Sequence, residues 1–201
     1  MISHNHKLIF IHIPKTGGTS IERILGENVR SDKDVSYSLG NTYSERKHWK
    51  TVDYETNFPE LFDCYFKFMF IRNPWDRLAS RYEWQKFVMP KSHINFTKVT
   101  QRTFKEFVKL RASAIFEKWC YVDLMHDKNG KQVVDFVGRF ENLQDDFDIL
   151  CDRIGHPRQQ LNNTNHLKRK NYTEYYDNET LEIVTQVFQR DIDYFGYKFG
   201  E

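Results

Sequence analysis

Apolar residues in this chain follow two patterns, short continuous runs and longer stretches with helical spacing. The continuous runs are rich in isoleucine, valine and phenylalanine, and they predict buried strands at 7–13, 65–71 and 131–138. Apolar residues three and four positions apart predict helices, which are expected from about Thr19, after Asn73-Pro74, and at 102–112, 143–154 and 181–192. Strands that alternate with helices predict an α/β fold with a mostly parallel sheet. Ligands of such folds bind beyond the carboxyl ends of the strands.

Individual residues mark where these elements begin and end. Asn73 is a good N-cap and Pro74 suits the first position of a helix. Gly155 is expected to terminate the helix before it, and Asn129-Gly130 predicts a tight turn. Residues 27–63 are polar and poorly periodic, so they predict a loop-rich insertion that faces the substrate.

Composition and charge limit the classes of protein that fit. The chain has 201 residues, of which 39% are hydrophobic and 16% aromatic, and its formal net charge is +2. This length suits one domain with a sizeable core. So small a net charge argues against a protein that coats nucleic acid, although a local basic site remains compatible with it.

Cysteine usage and hydropathy give expectations about the compartment. Cys64, Cys120 and Cys151 are widely spaced and form no CxxC pair, so we expect core thiols in a reducing compartment rather than a zinc site or a disulfide framework. No apolar stretch approaches the ~20 residues that span a bilayer. We therefore expect a cytoplasmic protein with no membrane span and no nucleic-acid partner, and the sequence leaves its oligomeric state open.

The segment "HIPKTGGTS" at 12–20 has the features of an anion-binding loop. A predicted strand leads through two glycines into a predicted helix, so backbone N–H groups and the helix dipole converge on one point. Gly17 and Gly18 permit close approach of the backbone, Lys15 adds a cation, and three hydroxyl side chains lie nearby. The ATP-binding pattern GxxxxGK[ST] is absent. The alternative is a structural turn with an exposed lysine.

A second candidate site lies in "IRNPWDRLAS" at 71–80. Arg72 follows a predicted strand, and Ser80 stands two helical turns further on. An arginine fork and a hydroxyl can bind the same phosphate group. The alternative is that Arg72 pairs with Asp76 or Glu83 and that Ser80 is a surface residue.

Two anion sites at two strand ends suit a ligand that has phosphates at both ends of its ribose, such as 3′-phosphoadenosine 5′-phosphosulfate (PAPS). "HIPKTGGTS" resembles the 5′-phosphosulfate loop of PAPS-dependent sulfotransferases, and "FIRNPWDRLASRY" resembles their 3′-phosphate segment. The segment from 47 to 82 and "VDFVGRFENLQDDF" are similar to the carbohydrate-type branch (family 2). The resemblance implies a P-loop-like three-layer sandwich, with a mostly parallel central sheet flanked by helices, as one sulfotransferase domain over 1–201.

The resemblance also implies roles for individual residues. Lys15 would stabilise the leaving oxygen and the sulfuryl group, and Arg72 and Ser80 would hold the 3′-phosphate. The 5′-phosphate would be held by Thr16, Gly17, Gly18, Thr19 and Ser20. The donor would be PAPS, with no metal ion.

A hydroxyl acceptor needs a base, and histidine suits that task near neutral pH. His48, in "RKHWK", matches the position of the candidate base in the carbohydrate-type branch, whereas His12 is expected to be a packed or hydrogen-bonded residue. Glu45 and Asp53 are the reserve candidates. On its own, His48 also fits a loop histidine without a special role.

The basic segment "NTNHLKRKNYTEYY" gives a third candidate region. By the resemblance, Lys168 and Arg169 would close over the bound nucleotide. The RKG signature of the small-molecule branch is missing here, so solvated surface charge is an equal alternative.

The predicted function is in-line transfer of a sulfuryl group from PAPS to a hydroxyl, with a carbohydrate or small-molecule acceptor. Two alternatives remain. The first is a P-loop nucleotide kinase or phosphotransferase, against which the missing GK[ST] counts. The second is a non-catalytic module that binds 3′-phosphoadenosine 5′-phosphate (PAP).

Overall fold

The computed structural model describes residues 1–26, 48–88, 100–162 and 169–201. Four strands occur in this part of the chain: β1 (Ile2–Ser3), β2 (Leu8–Ile11), β3 (Phe66–Ile71) and β4 (Phe136–Arg139). The helices are α1 (Gly18–Leu25), α2 (Thr51–Asn57), α3 (Pro59–Cys64), α4 (Pro74–Val88), α5 (Phe104–Trp119), α6 (Tyr121–Leu124), α7 (Leu143–Ile154), α8 (Asn178–Val187) and α9 (Gln189–Phe195). Short 3-10 turns cover Phe140–Asn142 and Tyr172–Tyr175.

The strands form one sheet in the order β1-β2-β3-β4. β2 and β3 are parallel, with Ile11 opposite Met69, and β3 and β4 are parallel, with Ile71 opposite Arg139. β1 runs antiparallel to β2. The prediction of an α/β fold with a mostly parallel sheet is confirmed, and the carboxyl ends of β2, β3 and β4 lie at one edge of that sheet.

The described residues form two compact units, and the first comprises Met1–Ile71 and Asp123–Thr164. It contains the whole sheet. Its core is built from residues of the three longer strands together with α1 and α7, namely Leu8, Phe10, Ile21, Leu25, Phe68, Phe70, Phe136, Phe147, Leu150 and Cys151. Phe10 and Phe68 stack with ring centroids 4.7 Å apart, so β2 and β3 are joined by their side chains as well as by hydrogen bonds.

The second unit comprises Arg72–Val122 and Asn165–Glu201 and is helical. Its buried Asp191 accepts hydrogen bonds from the backbone N–H groups of Tyr121 (3.0 Å) and Val122 (3.1 Å) and from the Cys120 thiol (3.3 Å). Burial raises the pKa of the Asp191 carboxyl, despite these donors. This carboxylate fixes α9 to the start of α6.

Several predicted elements need correction. Residues 51–64 form α2 and α3 rather than a loop, with Tyr54 and Phe62 buried; helices of seven and six residues are too short to show a clear period. Residues 27–47 of the predicted insertion lie outside the described residues. The helix expected at 181–192 is two helices that meet at Phe188.

The cysteine prediction holds for two of the three residues. Cys120 and Cys151 are buried, whereas Cys64 is exposed at the end of α3. Among the described residues, no helix is long and apolar enough to cross a membrane. The three-layer arrangement and the single domain over 1–201 remain predictions.

Candidate functional site

The loop after β2 has the geometry of an anion cradle. Lys15 has φ +72° and Gly17 has φ +83°, and the residue between them is not in the left-handed region. Turns in which left-handed residues alternate with others are typical of anion-binding concavities lined by backbone N–H groups. α1 begins at Gly18, and its N-cap, Gly17, has no side chain that could occupy the first N–H groups of the helix. The chain therefore presents backbone donors and the positive end of a helix dipole at this turn.

Lys15 holds this backbone conformation at a cost. A left-handed residue other than glycine is strained by about 1–3 kcal/mol, and such strain is concentrated at functional sites. Lys15 is half-buried, so its stem is packed against the protein. Its conformation and its place before α1 make Lys15 a candidate functional residue.

The hydroxyl groups of the loop differ in what they contact. The Thr16 hydroxyl is fully buried and donates to the Ile13 carbonyl at 2.9 Å, so it shapes the turn. The Ser20 hydroxyl donates to the Asn162 carbonyl at 2.7 Å. Thr19, in the first turn of α1, is half-buried. The structure thus places all six predicted residues from Lys15 to Ser20 in a single turn, with Thr16 in a structural contact.

Gly18 is required because the His12 ring fills the space beside it. A Cβ atom at Gly18 would lie 2.4 Å from both Cδ2 and Nε2 of His12. The ring itself stacks on Phe10, with centroids 5.2 Å apart and planes at 9°. Its Nδ1 lies 2.7 Å from the Glu22 carboxylate, and both side chains are buried. The expectation that His12 is a packed, hydrogen-bonded residue is confirmed.

His48 lies beside the strand that leads into the cradle. Its Nδ1 is 3.0 Å from the backbone carbonyl of His12, and the two histidine rings meet edge to face with centroids 4.8 Å apart. A carbonyl oxygen only accepts hydrogen bonds, so Nδ1 must donate. In the neutral ring the lone pair is then on Nε2, which is the form that a general base requires.

Asp53, a reserve candidate for the base, has a structural contact instead. The Asp53 carboxylate accepts from the backbone N–H of Lys50 at 2.7 Å and therefore caps α2. Glu45 lies outside the described residues. The geometry in the described part of the chain favours His48 as the basic group near the cradle.

The second candidate site lies in the helical unit. Arg72 is buried, and its Nε and one terminal nitrogen each lie 2.7 Å from the same oxygen of Asp76. The other oxygen of Asp76 accepts from Arg169. The pairing of Arg72 with Asp76 was the structural alternative at the sequence level, and it is observed. The structure adds Arg169, which stands 93 residues from Asp76 in the chain.

One donor of this cluster has no acceptor among the described residues. Two guanidinium groups share one carboxylate, and Nη1 of Arg169 is buried with no hydrogen-bond partner among the described residues. A buried donor without a partner is costly, so the cluster suits an additional anion. Ser80 is half-buried one turn beyond Asp76 and belongs to the same side of α4 by its spacing. Lys168 lies outside the described residues.

Two tyrosines border the arginine cluster. Tyr176 is half-buried, and its hydroxyl donates to the Trp75 carbonyl at 2.8 Å. Burial and the negative charge of Asp76 raise the pKa of the Tyr176 hydroxyl, and burial together with Glu83 raises the pKa of Tyr175. Both phenols are neutral at physiological pH, so they act as donors here.

Sequence reasoning did not find the contact of Glu22 with His12 or that of Asp76 with Arg169. The spacing of Asp76 from Arg72 was visible as an i, i+4 pair, but nothing in the sequence links it to Arg169. Glu22 lies in the first helix after the loop, and only the fold shows that it reaches His12. Among the described residues, no group of three His, Cys, Asp or Glu side chains is placed to hold a metal ion.

Comparison with known proteins identifies the class. The family model described as "Sulfotransferase family" matches residues 1–198. The chain therefore belongs to the sulfotransferase family, and the resemblance found in its motifs is confirmed.

Three individual relatives match this chain at low sequence identity or over part of its length. An uncharacterized protein of Archaeoglobus fulgidus is 35% identical over 106 residues, which are 50% of this chain and 76% of that protein. Carbohydrate sulfotransferase 9 of Homo sapiens is 23% identical, with 95% of this chain and 47% of the human protein covered. Human carbohydrate sulfotransferase 8 is 22% identical, with 78% and 43% covered. The chain thus spans less than half the length of the two human relatives.

Proposed function

We propose that this sulfotransferase takes its sulfuryl group from PAPS and transfers it to a hydroxyl group of a carbohydrate acceptor. The observation that carries the proposal is the cradle after β2, where Lys15 and Gly17, both with positive φ, precede a helix whose N-terminus has no side-chain cap. Family membership supports a donor of this type. The names of the two human relatives support a carbohydrate acceptor.

In the proposed reaction the acceptor oxygen forms a bond to sulfur while the bond from sulfur to the bridging oxygen breaks. The electron pair of that bond leaves with PAP, and negative charge grows on its 5′-phosphate. The backbone N–H groups of the cradle stabilise this charge, since they are fixed before the reaction begins. Lys15 adds a cation beside the bridging oxygen. Thr19 and Ser20 supply further contacts to the 5′-phosphate.

His48 is the proposed base. Its Nδ1–H is bound to the His12 carbonyl, so Nε2 carries the lone pair that accepts the proton of the acceptor hydroxyl. General base catalysis of this kind contributes about 10²–10⁴-fold. We expect His48→Ala to lose turnover in that range while PAP binding is nearly unchanged. His156→Ala is the matched control, because His156 contacts its neighbour Pro157 and His6 rather than the cradle.

The 3′-phosphate of the nucleotide is assigned to the arginine cluster of the helical unit. Arg169 contributes a buried N–H that has no partner among the described residues, Arg72 contributes charge, and Ser80 contributes a hydroxyl. The phosphate would add negative charge to a cluster of two guanidinium groups and one carboxylate. Lys168 lies outside the described residues, and it is assigned to this site only because it precedes Arg169 in the sequence.

Thermal shifts with PAP, PAPS, ATP and GTP, each with and without Mg²⁺, test the choice of donor. Stabilisation by PAP and PAPS without Mg²⁺ is the expected result. Stabilisation by ATP with Mg²⁺ but not by PAP would replace the proposal with a phosphotransferase. Transfer of ³⁵S from labelled PAPS to a panel of oligosaccharides then tests the reaction. PAP binding with no labelled product from any acceptor would indicate a non-catalytic nucleotide-binding module.

A further inference from the structure

We infer that the buried pair of Glu22 and His12 is a positioning device for the candidate base, His48. Neither residue of the pair contacts the nucleotide in the roles proposed above. The inference rests on the proposed function, because it assigns the pair a part in the same site.

The pair is built with little freedom. The Nδ1 atom of His12 and the Glu22 carboxylate are 2.7 Å apart, and their side chains are 3% and 4% exposed. The carboxylate can only accept, so Nδ1 of His12 donates, and this bond fixes the rotation of the ring. Stacking on Phe10 fixes the plane of the ring. Buried polar pairs contribute little to stability, and their best-supported use is to specify one arrangement over others.

The ring that is held in this way touches both parts of the candidate site. One edge, with Cδ2 and Nε2, lies against Gly18, the first residue of α1. The ring also meets the ring of His48 edge to face at 4.8 Å, and the carbonyl of His12 accepts from His48. Among the described residues, His12 is thus the side chain that connects the start of the cradle helix to the candidate base.

The pair affects the position of the His48 ring. If the His12 ring turns or is lost, the His48 ring loses the edge-to-face contact that holds it against the His12 carbonyl. Its Nδ1–H bond to that carbonyl is then formed only part of the time, and Nε2 is no longer held in one place. Misplacement of a reacting group by about 1 Å is enough to reduce rates by about 10²-fold. A change in the pair should therefore affect turnover more than it affects nucleotide binding.

Two single substitutions separate the ring from the hydrogen bond. His12→Asn keeps an N–H that can reach Glu22 but removes the ring edge that faces Gly18 and His48. Glu22→Gln keeps an acceptor for the ring, removes the charge and replaces the second carboxylate oxygen by an N–H donor. We expect His12→Asn to lose at least about tenfold in kcat with less than about threefold change in the Kd for PAP. Glu22→Gln should stay within about threefold of the wild type in both.

The tautomer of His48 is a second readout that does not depend on activity. In the wild type, ¹H–¹⁵N correlation of the histidine side chains should show a single Nδ1–H tautomer for His48, in keeping with its carbonyl partner. In His12→Asn both tautomers should be populated. If His12→Asn does not fold, the apolar pair His12→Leu with Glu22→Leu replaces it, since it also removes the aromatic edge and since hydrophobic residues of similar volume commonly substitute for a buried polar pair without loss of stability. For that variant the expectation is a lower kcat and a mixed tautomer.

Two results would overturn the inference. Wild-type turnover in a folded variant without the pair would show that the pair is only structural. A loss of turnover with an unchanged His48 tautomer would show that the pair does not act through the base. Failure of the proposed function gives a different pattern, because wild-type protein would then transfer no sulfate while the tautomer of His48 still responds to the pair.

Discussion

Gly18→Ala is the substitution whose effect the structure defines most directly. The new methyl group would lie 2.4 Å from two atoms of the His12 ring and 3.0 Å from a third, whereas ordinary contact begins at 3.4 Å. The ring cannot retreat, because Phe10 stacks on it and Glu22 holds its Nδ1. The start of α1 must therefore move by about 1 Å, and the anion cradle moves with it.

The change in the free energy of unfolding for Gly18→Ala follows from two opposing effects. Overpacking a filled site costs about 1–3 kcal/mol, and the better helix propensity of alanine offsets up to about 1 kcal/mol of that. We expect a net loss of about 1–2 kcal/mol in the free energy of unfolding. For a chain of this length that lowers Tm by about 2–8 °C. The displacement of the cradle should reduce sulfate transfer by about 10²-fold.

Urea unfolding and transfer kinetics of four proteins measure this effect. All four proteins carry Glu22→Gln, so that no buried charge is left unpaired. They are this parent, the parent with Gly18→Ala, the parent with His12→Ala, and the parent with both substitutions. Because the overlap disappears with the ring, the penalty should fall by at least about 1 kcal/mol in the second background. An equal penalty in both backgrounds, or none in either, would refute the steric argument.

Two further predictions concern the loop lysine and a helix cap. Lys15→Gly relieves the strain at φ +72°, so by urea unfolding it should be at least as stable as the wild type. Its sulfate transfer should fall by about 10²–10³-fold. A loss of stability would contradict the strain, and wild-type transfer would contradict the role of the amine. Asp177 caps α8, and hydrogen bonds from the Thr180 backbone and side chain lower the pKa of its carboxyl from 3.8 to about 2. Because the folded-state pKa is the lower one, the stabilisation is present above about pH 4 and is lost as the pH falls toward 2. Urea midpoints should therefore decline more steeply over this range in the wild type than in Asp177→Asn, and parallel declines would contradict the cap.

Much of the fold was accessible from the sequence because its signals are local. The runs before and after Phe68 are continuous, apolar and rich in branched or aromatic residues, so they identify buried strands without knowledge of their partners. Asn73-Pro74 and Gly155 mark helix ends through backbone preferences that do not depend on the rest of the chain. The helices of residues 51–64 were missed, because their burial of Tyr54 and Phe62 is decided by tertiary packing.

The candidate site was only partly accessible for the same reason. The loop from Lys15 to Ser20 is contiguous, so its residue types predict its shape. The contact of Arg169 with Asp76 joins residues 93 positions apart, and the contact of His48 with the His12 carbonyl joins residues 36 positions apart. No local pattern encodes such contacts, so they could not be predicted from the sequence and are seen only in the folded structure.

Calorimetric titration of two nucleotides into two proteins tests the central claim most directly, namely that the cradle holds a 5′-phosphate and Arg72 holds the 3′-phosphate of the same molecule. The ligands are PAP and adenosine 5′-phosphate, which differ only in the 3′-phosphate, and the proteins are the wild type and Arg72→Ala. A charged hydrogen bond of this kind is worth about 1.5–3 kcal/mol, so the wild type should bind PAP at least about tenfold more tightly than adenosine 5′-phosphate. Arg72→Ala should lose most of this preference for PAP, with the affinity for adenosine 5′-phosphate unchanged; the preference that remains is assigned to Arg169 and Ser80. Equal weakening of both ligands by Arg72→Ala, or no weakening of either, would contradict the account.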